Sequence, residues 1–402
     1  MARIAVVGAG FAGLTAAFRL SQAGHEVAVF EARGRVGGRV HSVTLANGEV
    51  AELGGEWISA DQLFVIDLAE ELGVAMSPVG IDFSRRDLVG SAPIEDAEHR
   101  RVASIANQAI ANLSDDEQGT MTAADLFARL DDGSDAFVVL RNRIEGSAGV
   151  AAGQIGVSEI VGDFGLVEAT YLRVEGGNQS LAEAIVTQLK DVRTGQPVSE
   201  IGSTDTGVTV VTQAELLEVD GVVIAVPLPL ISKLRFDPPL PRAMLDAIAR
   251  LRMGTAAKLA VPTESDPSLI ALQDREATWW CWTGAGANGK PRNVVTAFAG
   301  TQSAIDAIGE DWRDRVAKAV SGIELGADAM TLDWGQEEWS GGCYSALGPG
   351  DEALLDVFEE EGPVVFAGEH TLGAGTIDGA IESGDRAAER LGRFLARTTA
   401  SH

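Results

Sequence analysis

Three observations predict an α/β fold of more than one domain. The chain opens on "RIAVVGAGFAGLTAAFRLSQAGHEVAVFEA", which reads as strand, glycine turn, helix and strand. It closes on "VVFAGE" and "GAIESGDRAAERL", a buried strand and a helix with small residues at its start. With 402 residues, 46% of them hydrophobic, it is long enough for two or three folding units with sizeable cores. The strand patterns at both ends place a Rossmann-like unit there and leave the chain between them for further folding units.

Arg3 to Val7 is a β-branched run suited to a buried parallel strand. Ala16, Ala17, Leu20 and Ala23 give the next helix a face of small apolar residues that can lie close on a sheet, and Gly24 ends it. Glu26 to Phe30 is the second strand. In the turn, Gly8 permits the tight bend, Gly10 lets a pyrophosphate approach the backbone, and Gly13 allows close helix–strand contact. The helix N-terminus offers free N–H groups and the positive end of a dipole. Glu31 ends the second strand, where an acid accepts hydrogen bonds from a ribose diol and disfavours a 2′-phosphate. A dinucleotide is the expected ligand.

Charge and composition exclude other classes. Lys and Arg total 31 against 59 Asp and Glu, a net charge of −28 that repels nucleic acid and anionic lipid. An acidic surface serves solubility or a salt-adapted host, and can also draw in a cationic substrate. Two cysteines, Cys281 and Cys343, cannot form a disulfide framework, which fits a reducing cytosol. The strand begins at Arg3, leaving no signal peptide, and the longest apolar run, Val222 to Ile231, is broken by Pro227 and Pro229. A soluble, cytoplasmic protein without membrane attachment is expected, with a homodimer left open. His25, His41, His99, His370 and His402 are scattered, and neither a metal-ligand cluster nor a Ser–His–Asp grouping is visible.

Past Glu31 the sequence continues "EARGRVGGRVHS", with Arg33, Arg35, Gly37, Gly38 and Arg39. A second glycine pair flanked by arginines implies another close backbone approach to a charged ligand, for which nicotinamide enzymes have no general need. This pattern, followed by "AELGGEWI" (Ala51 to Ile58), resembles the flavin-containing amine oxidase family. "RVEGGNQSLAEAI" resembles its internal glycine turn, "GVVIAVPLPLISKLRFDPPLP" its proline-rich exit from the flavin domain, and "LRMGTAAKLAV" the strand that carries its active-site lysine. "VVFAGEHTLGAGTIDGAIESGDRAAERL" resembles the closing flavin segment. Most of the stretch from Phe83 to Thr170 matches nothing.

The resemblance implies an amine oxidase / glutathione reductase-like flavoprotein. Its Rossmann-like FAD-binding domain takes 1–78, 172–235 and 340–402; its α+β substrate-binding domain takes 79–171 and 236–339. The cofactor set it implies is Gly8, Gly10, Gly13, Glu31, Arg33, Gly38, Arg39, Gly54, Gly55, Glu56, Trp57, Val198, Cys343, Gly368, Glu369, Thr376 and Ile377. A helix N-terminus aimed at the flavin pyrimidine would stabilise the charge that builds there on reduction.

Lys258 sits among Ala256, Ala257, Leu259, Ala260 and Val261. An isolated lysine there would snorkel to solvent, but the resemblance makes it the lysine that holds a water against flavin N5 and assists reoxidation by oxygen. Trp334 is similar to the family's tryptophan beside the flavin, otherwise an ordinary core aromatic. Trp57 either walls the substrate cavity or simply packs. "SGGCY" resembles the monoamine oxidase segment whose cysteine is bonded to the flavin 8α-methyl carbon. That makes Cys343 a covalent anchor, reached because Gly341 and Gly342 let the backbone pass close to the ring; the alternative is a buried free thiol. Tyr344 is then one wall of the family's two-ring cage. The second wall falls on Thr376, which is not aromatic, and Trp279, Trp280 and Trp282 are candidates to fill the cavity, Trp280 and Trp282 sharing one face of a strand and Trp279 having the other.

The expected reaction is oxidation of an alkyl or arylalkyl amine to an imine or aldehyde, O2 being reduced to hydrogen peroxide. Lys258, Tyr344 and Trp334 form the catalytic set. An α-amino acid is disfavoured because "AELGGEWI" lacks the carboxylate-binding arginine of related amino-acid oxidases. The alternatives are a flavin-dependent desaturase or dehydrogenase of a non-amine substrate, and a non-catalytic flavin-binding module.

Overall fold

The structure is a computed structural model that describes residues 1–160, 170–204 and 207–400. Residues 161–169, part of the stretch assigned above to the substrate domain, lie outside the described residues, as does His402.

The strand Arg3–Val7 lies at the centre of a five-stranded parallel sheet. Glu26–Phe30 and then Asp191–Arg193 flank it on one side, Gly221–Ile224 and then Val364–Phe366 on the other. The first two strands have the bounds their β-branched runs predict. Helix Phe11–Gln22 follows the glycine turn and ends at Ala23, before Gly24 at φ +86°. It packs against the C-terminal helix Ile377–Ala400 over a core that includes Val6, Leu14, Ala17, Val29, Ile381 and Leu391. A Cβ at Gly384 would lie 2.4 Å from the Ala12 carbonyl oxygen, so the helices meet backbone to backbone. A larger residue there would force them apart, at about 1–3 kcal/mol.

A second sheet has six strands in the order Met330–Asp333, Ala257–Pro262, Val294–Ala299, Trp279–Trp282, Ala271–Gln273 and Asp87–Leu88, antiparallel except for the last pair. Side chains alternate across it. Ala257, Leu259, Val261, Trp279, Cys281, Ala297 and Ala299 pack with Ala304, Ile308, Trp312 and Val316, from helices Gln302–Ile308 and Trp312–Ala319. Lys258, Trp280, Trp282 and Phe298 fall on the other face, which turns toward the parallel-sheet layer.

The stretch that carried no motif contains a helical layer, including Asp96–Ala111, Ala123–Leu130 and Asp135–Ala148, with its own core of Val102, Ala106, Leu126, Phe137 and Ile144. Ser114, Thr122 and Ser134 cap helices here by accepting backbone N–H groups, the first two in reciprocal capping boxes. A small sheet of Ile58–Ser59, Tyr171–Val174 and Met76–Pro78 ties the layers together.

Candidate active site

A continuous cavity of about 600 Å³ runs from the first glycine turn to the inner face of the six-stranded sheet. At its first end, Gly8 has φ +107° and no room for a side chain, since a Cβ would lie 2.5 Å from the Ala225 carbonyl oxygen. Gly10, Phe11 and Ala12 present the N-terminus of the helix to the cavity, with no side-chain cap on it. Gly13 does not line the cavity. Its Cβ would lie 2.0 Å from the Gly8 carbonyl oxygen, so it serves the helix–strand contact alone. Gly38 lines the cavity but also packs on the first turn, where its Cβ would lie 3.0 Å from the Gly10 Cα.

The buried Glu31 carboxylate accepts the Ala9 N–H at 2.8 Å on one oxygen and the Arg33 N–H at 2.8 Å on the other. Each oxygen keeps a second lone pair for a diol. Arg33 is held by Glu337 and lies 3.7 Å from Glu31. Further along, Arg39 donates to the Cys343 carbonyl at 2.7 Å and to Glu369 Oε1 at 2.8 Å. Ser345 donates to Glu369 Oε2 through both its N–H and its hydroxyl. Burial pushes the Glu369 carboxyl up, but Arg39, with smaller contributions from His370 and Ser345, brings it below its ordinary value. Gly368, Gly54, Gly55, Trp57, Val198, Thr376 and Ile377 also line the cavity.

At the far end, Lys258 is buried rather than snorkelling, with a side chain only 6% exposed. Its ammonium donates to the Glu52 carbonyl at 3.2 Å, the Gly54 carbonyl at 2.9 Å and Glu56 Oε2 at 2.8 Å, so all three N–H groups go to protein acceptors where the resemblance implied that one holds a water. Glu56 also accepts from Trp282 Nε1 at 3.4 Å. Trp280 and Trp282 stack with centroids 4.0 Å apart, and Trp57 packs against both, against Phe83 and edge-on against Tyr171. The buried guanidinium of Arg86 lies 3.7 Å over the Trp280 ring and donates to Gln273 Oε1 and the Phe83 carbonyl, which fixes that wall from behind.

Trp334 lines the same end and donates its indole N–H to the Leu53 carbonyl at 2.8 Å. Cys343 is buried beside Trp334 and Ala256 and opens on the cavity, and burial pushes its thiol up to about 12. The two glycines before it answer to other neighbours than expected. A Cβ at Gly342 would lie 2.1 Å from Met253 Cγ and one at Gly341 3.4 Å from Pro229, and neither glycine lines the cavity. Tyr344 donates its hydroxyl to the Gly146 carbonyl at 2.7 Å. The threonine hydroxyl at position 376 is engaged with the backbone, which an aromatic ring could not match. It accepts the Gly379 N–H at 2.9 Å and caps the C-terminal helix. Trp280, Trp282, Phe83 and Phe298 supply the aromatic surface instead.

Sequence reasoning missed Phe83, Phe298 and Arg86. Phe298 pairs directly with Lys258, a register that its apolar run "VVTAFA" does not reveal. Phe83 and Arg86 come from a stretch with no motif and had no signal.

The profile of the family described as flavin containing amine oxidoreductase matches residues 11–95 and 81–392. The chain belongs to the flavin-containing amine oxidoreductases. Putrescine oxidase of Kocuria rosea is 28% identical over 96% of this chain and 94% of its own length. Pseudooxynicotine dehydrogenase of a Pseudomonas species is 25% identical over 97% and 86%. Cyclohexylamine oxidase of Brevibacterium oxydans superposes with a TM-score of 0.83 over 98% of this chain and 99% of that one, at 20% identity, and shows the shared two-domain flavoprotein fold.

The flavin-containing amine oxidoreductase cavity fits FAD on its own features. Gly10 leaves an open cradle at an uncapped helix N-terminus that a pyrophosphate would fit, the Glu31 carboxylate keeps acceptor capacity that a ribose diol would suit, and the lining toward the far end is mostly apolar. The chain is therefore an FAD-dependent enzyme of amine oxidation.

Proposed function

We propose that this flavin-containing amine oxidoreductase oxidises an alkyl or arylalkyl monoamine and passes the electrons to O2, giving an imine or aldehyde and hydrogen peroxide. The observation that carries this reading is the continuity of one cavity, from the dinucleotide turn to a buried lysine and an aromatic wall. Bound FAD supplies the two-electron acceptor; the residues orient, desolvate and hold protons around it. Gly8, Gly10, Glu31, Arg33, Gly38, Arg39, Gly368 and Glu369 would hold its polar parts. Gly54, Gly55, Glu56, Trp57, Val198, Thr376 and Ile377 would flank it, with Gly13 setting the turn's geometry.

Trp57, Trp280, Trp282 and Tyr344 would seat the apolar part of the amine and exclude water from its α-carbon. Among the described residues, the acids lining the cavity are Glu31, Glu56 and Glu369. Glu56 is already paired with Lys258 and Glu369 with Arg39, which supports a monoamine over a diamine. Lys258 would place its positive charge where electrons pass to oxygen, with Trp334 packed beside the ring. Cys343 would form a thioether to the flavin; its opening on the cavity supports this reading, and its raised thiol marks the chemical cost.

In this reading 1–78, 172–235 and 340–402 form the FAD-binding unit and 79–171 and 236–339 the substrate unit. Among the described residues no helix is long and apolar enough to cross a membrane. With two free cysteines, we place the protein in the cytoplasm.

The test is anaerobic mixing with a panel of monoamines and diamines, following loss of the yellow flavin colour, then admission of air with peroxide detection. A monoamine that bleaches the flavin, with rapid return of colour and one peroxide per cycle, is the expected result. Bleaching that air does not reverse would replace O2 by another acceptor, a reading favoured by the dehydrogenase among the relatives. No bleaching by any amine would remove the monoamine assignment.

A further inference from the structure

The Lys258 ammonium has three N–H donors and no acceptor, and all three are taken: by the Glu52 carbonyl, the Gly54 carbonyl and the Glu56 carboxylate. The two carbonyls belong to the backbone and cannot turn away. Glu56 is the one partner with side-chain freedom, and both members of the pair are almost out of water, at 6% and 5% exposure. Such an ion pair loses the hydration of two charges, and a neutral acceptor would tie the strand to the 52–56 loop equally well.

A second acid makes the choice of a charge costlier still. The Glu52 carboxylate lies close by, accepting from the Asn178 N–H and the Ser42 hydroxyl. Burial pushes it up, and the Glu56 charge adds to that, against the hydrogen bond from Asn178. Arg173 also faces both acids and keeps its charge while it donates to the Ala285 carbonyl, and Arg292 is taken by Glu49. Among the described residues the direct ion pair of Glu56 is with Lys258.

We propose that Glu56 is the positioning residue of Lys258: it takes the third ammonium N–H and offsets part of the lysine charge, so that the flavin edge would meet a held, damped cation and not a free one. This assigns Glu56 a role through the lysine, beyond lining the cofactor site, and it rests on the reading of Lys258 given above. Trp282, which donates to the same carboxylate and stacks on Trp280, links the pair to the aromatic wall, so the set of the lysine is tied to the seat of the substrate.

The probe is sulfite, an anion that adds to flavin N5 and leaves negative charge on the ring, titrated into the holoenzyme and followed by loss of visible absorbance. It reports the local charge without turnover. One uncompensated unit charge at this range changes such an affinity by about tenfold or more. Glu56→Gln, which keeps size and acceptor but not charge, should bind sulfite about tenfold more tightly than wild type. Lys258→Met should bind it more weakly, and the double variant should fall between the two single variants. A purely structural tie would instead weaken binding in both single variants alike, and that pattern would overturn the proposal.

Weakening in Lys258→Met with no change in Glu56→Gln would also overturn it while leaving Lys258 in place. No change in Lys258→Met would remove the lysine reading itself. If Glu56→Gln does not retain flavin, Glu56→Asp decides: it pulls the charge back by one methylene, and tightening short of tenfold supports the pairing while wild-type affinity refutes it.

Discussion

Alanine at Gly10 and alanine at Gly13 should separate cofactor binding from folding, although the two glycines are three residues apart in one turn. Gly10 has φ −76° and ψ 176°, which alanine adopts without strain, and its Cβ would meet protein no closer than 3.9 Å, at the Gly38 Cα. The fold should accept Gly10→Ala with a change in stability within about 1 kcal/mol, and a gain is reasonable because the unfolded chain loses freedom. The added methyl would, however, stand in the cradle where a pyrophosphate must reach the helix N–H groups. Overpacking of about 1–3 kcal/mol there weakens FAD binding by about 5- to 150-fold. At Gly13 the Cβ would lie 2.0 Å from the Gly8 carbonyl oxygen and 3.1 Å from Ala225 Cβ, both fixed in the sheet and turn. Gly13→Ala should therefore destabilise the apoprotein itself.

The assay is FAD titration of stripped protein by flavin fluorescence quenching, beside thermal unfolding of the same apoprotein, both in a Cys343→Ala background so that flavin can be removed. Bound FAD stabilises by mass action, so only apoprotein melting compares the folds. Wild-type FAD affinity in a well-folded Gly10→Ala variant would refute the placement of the pyrophosphate at this helix. An unchanged apoprotein melting temperature in Gly13→Ala would refute the steric argument.

Other outcomes follow from the same structure. Acid precipitation of the holoenzyme should carry the yellow colour into the washed pellet, and Cys343→Ala should release it to the supernatant; release from the wild type would make Cys343 an ordinary buried thiol. His370 is buried, with neither ring nitrogen hydrogen-bonded among the described residues, and burial depresses it to about 4. Between that value and the ordinary 6.5 the unfolded chain binds the extra proton, so stability should fall as pH drops through this window, by up to about 3 kcal/mol. His370→Gln should flatten that part of the urea-midpoint profile, and an unchanged slope would remove the assignment. Trp282→Ala removes the stack on Trp280 and the donor to Glu56; amine KM should rise about tenfold or more, whereas an unchanged KM would move the substrate away from this wall.

What the sequence determined by itself is local. Arg3–Val7, the turn at Gly8, Gly10 and Gly13, the helix after it and Glu31 are set by β-branching, missing side chains and helix-end chemistry within one short stretch of chain, and the strand and helix have nearly the bounds their patterns predict. Lys258 and Cys343 were readable only through resemblance, because nothing in "AAKLAV" or "SGGCY" says what lies opposite.

Tertiary structure decided the rest. Lys258 meets Glu56 across 202 positions because strand alternation turns it inward and the 52–56 loop closes over it. Trp57 and Phe83 meet Trp280 and Trp282 because separate layers deliver them to one wall. Gly342 is bare because Met253 lies against it, and Thr376 is a threonine because a helix begins there. The helical layer between 96 and 148 left no mark beyond apolar periodicity, since a core held by dispersion and water exclusion accepts many sequences of similar volume. Backbone geometry leaves its signature in neighbouring residues; a contact between distant ones exists only after register and layer packing are in place.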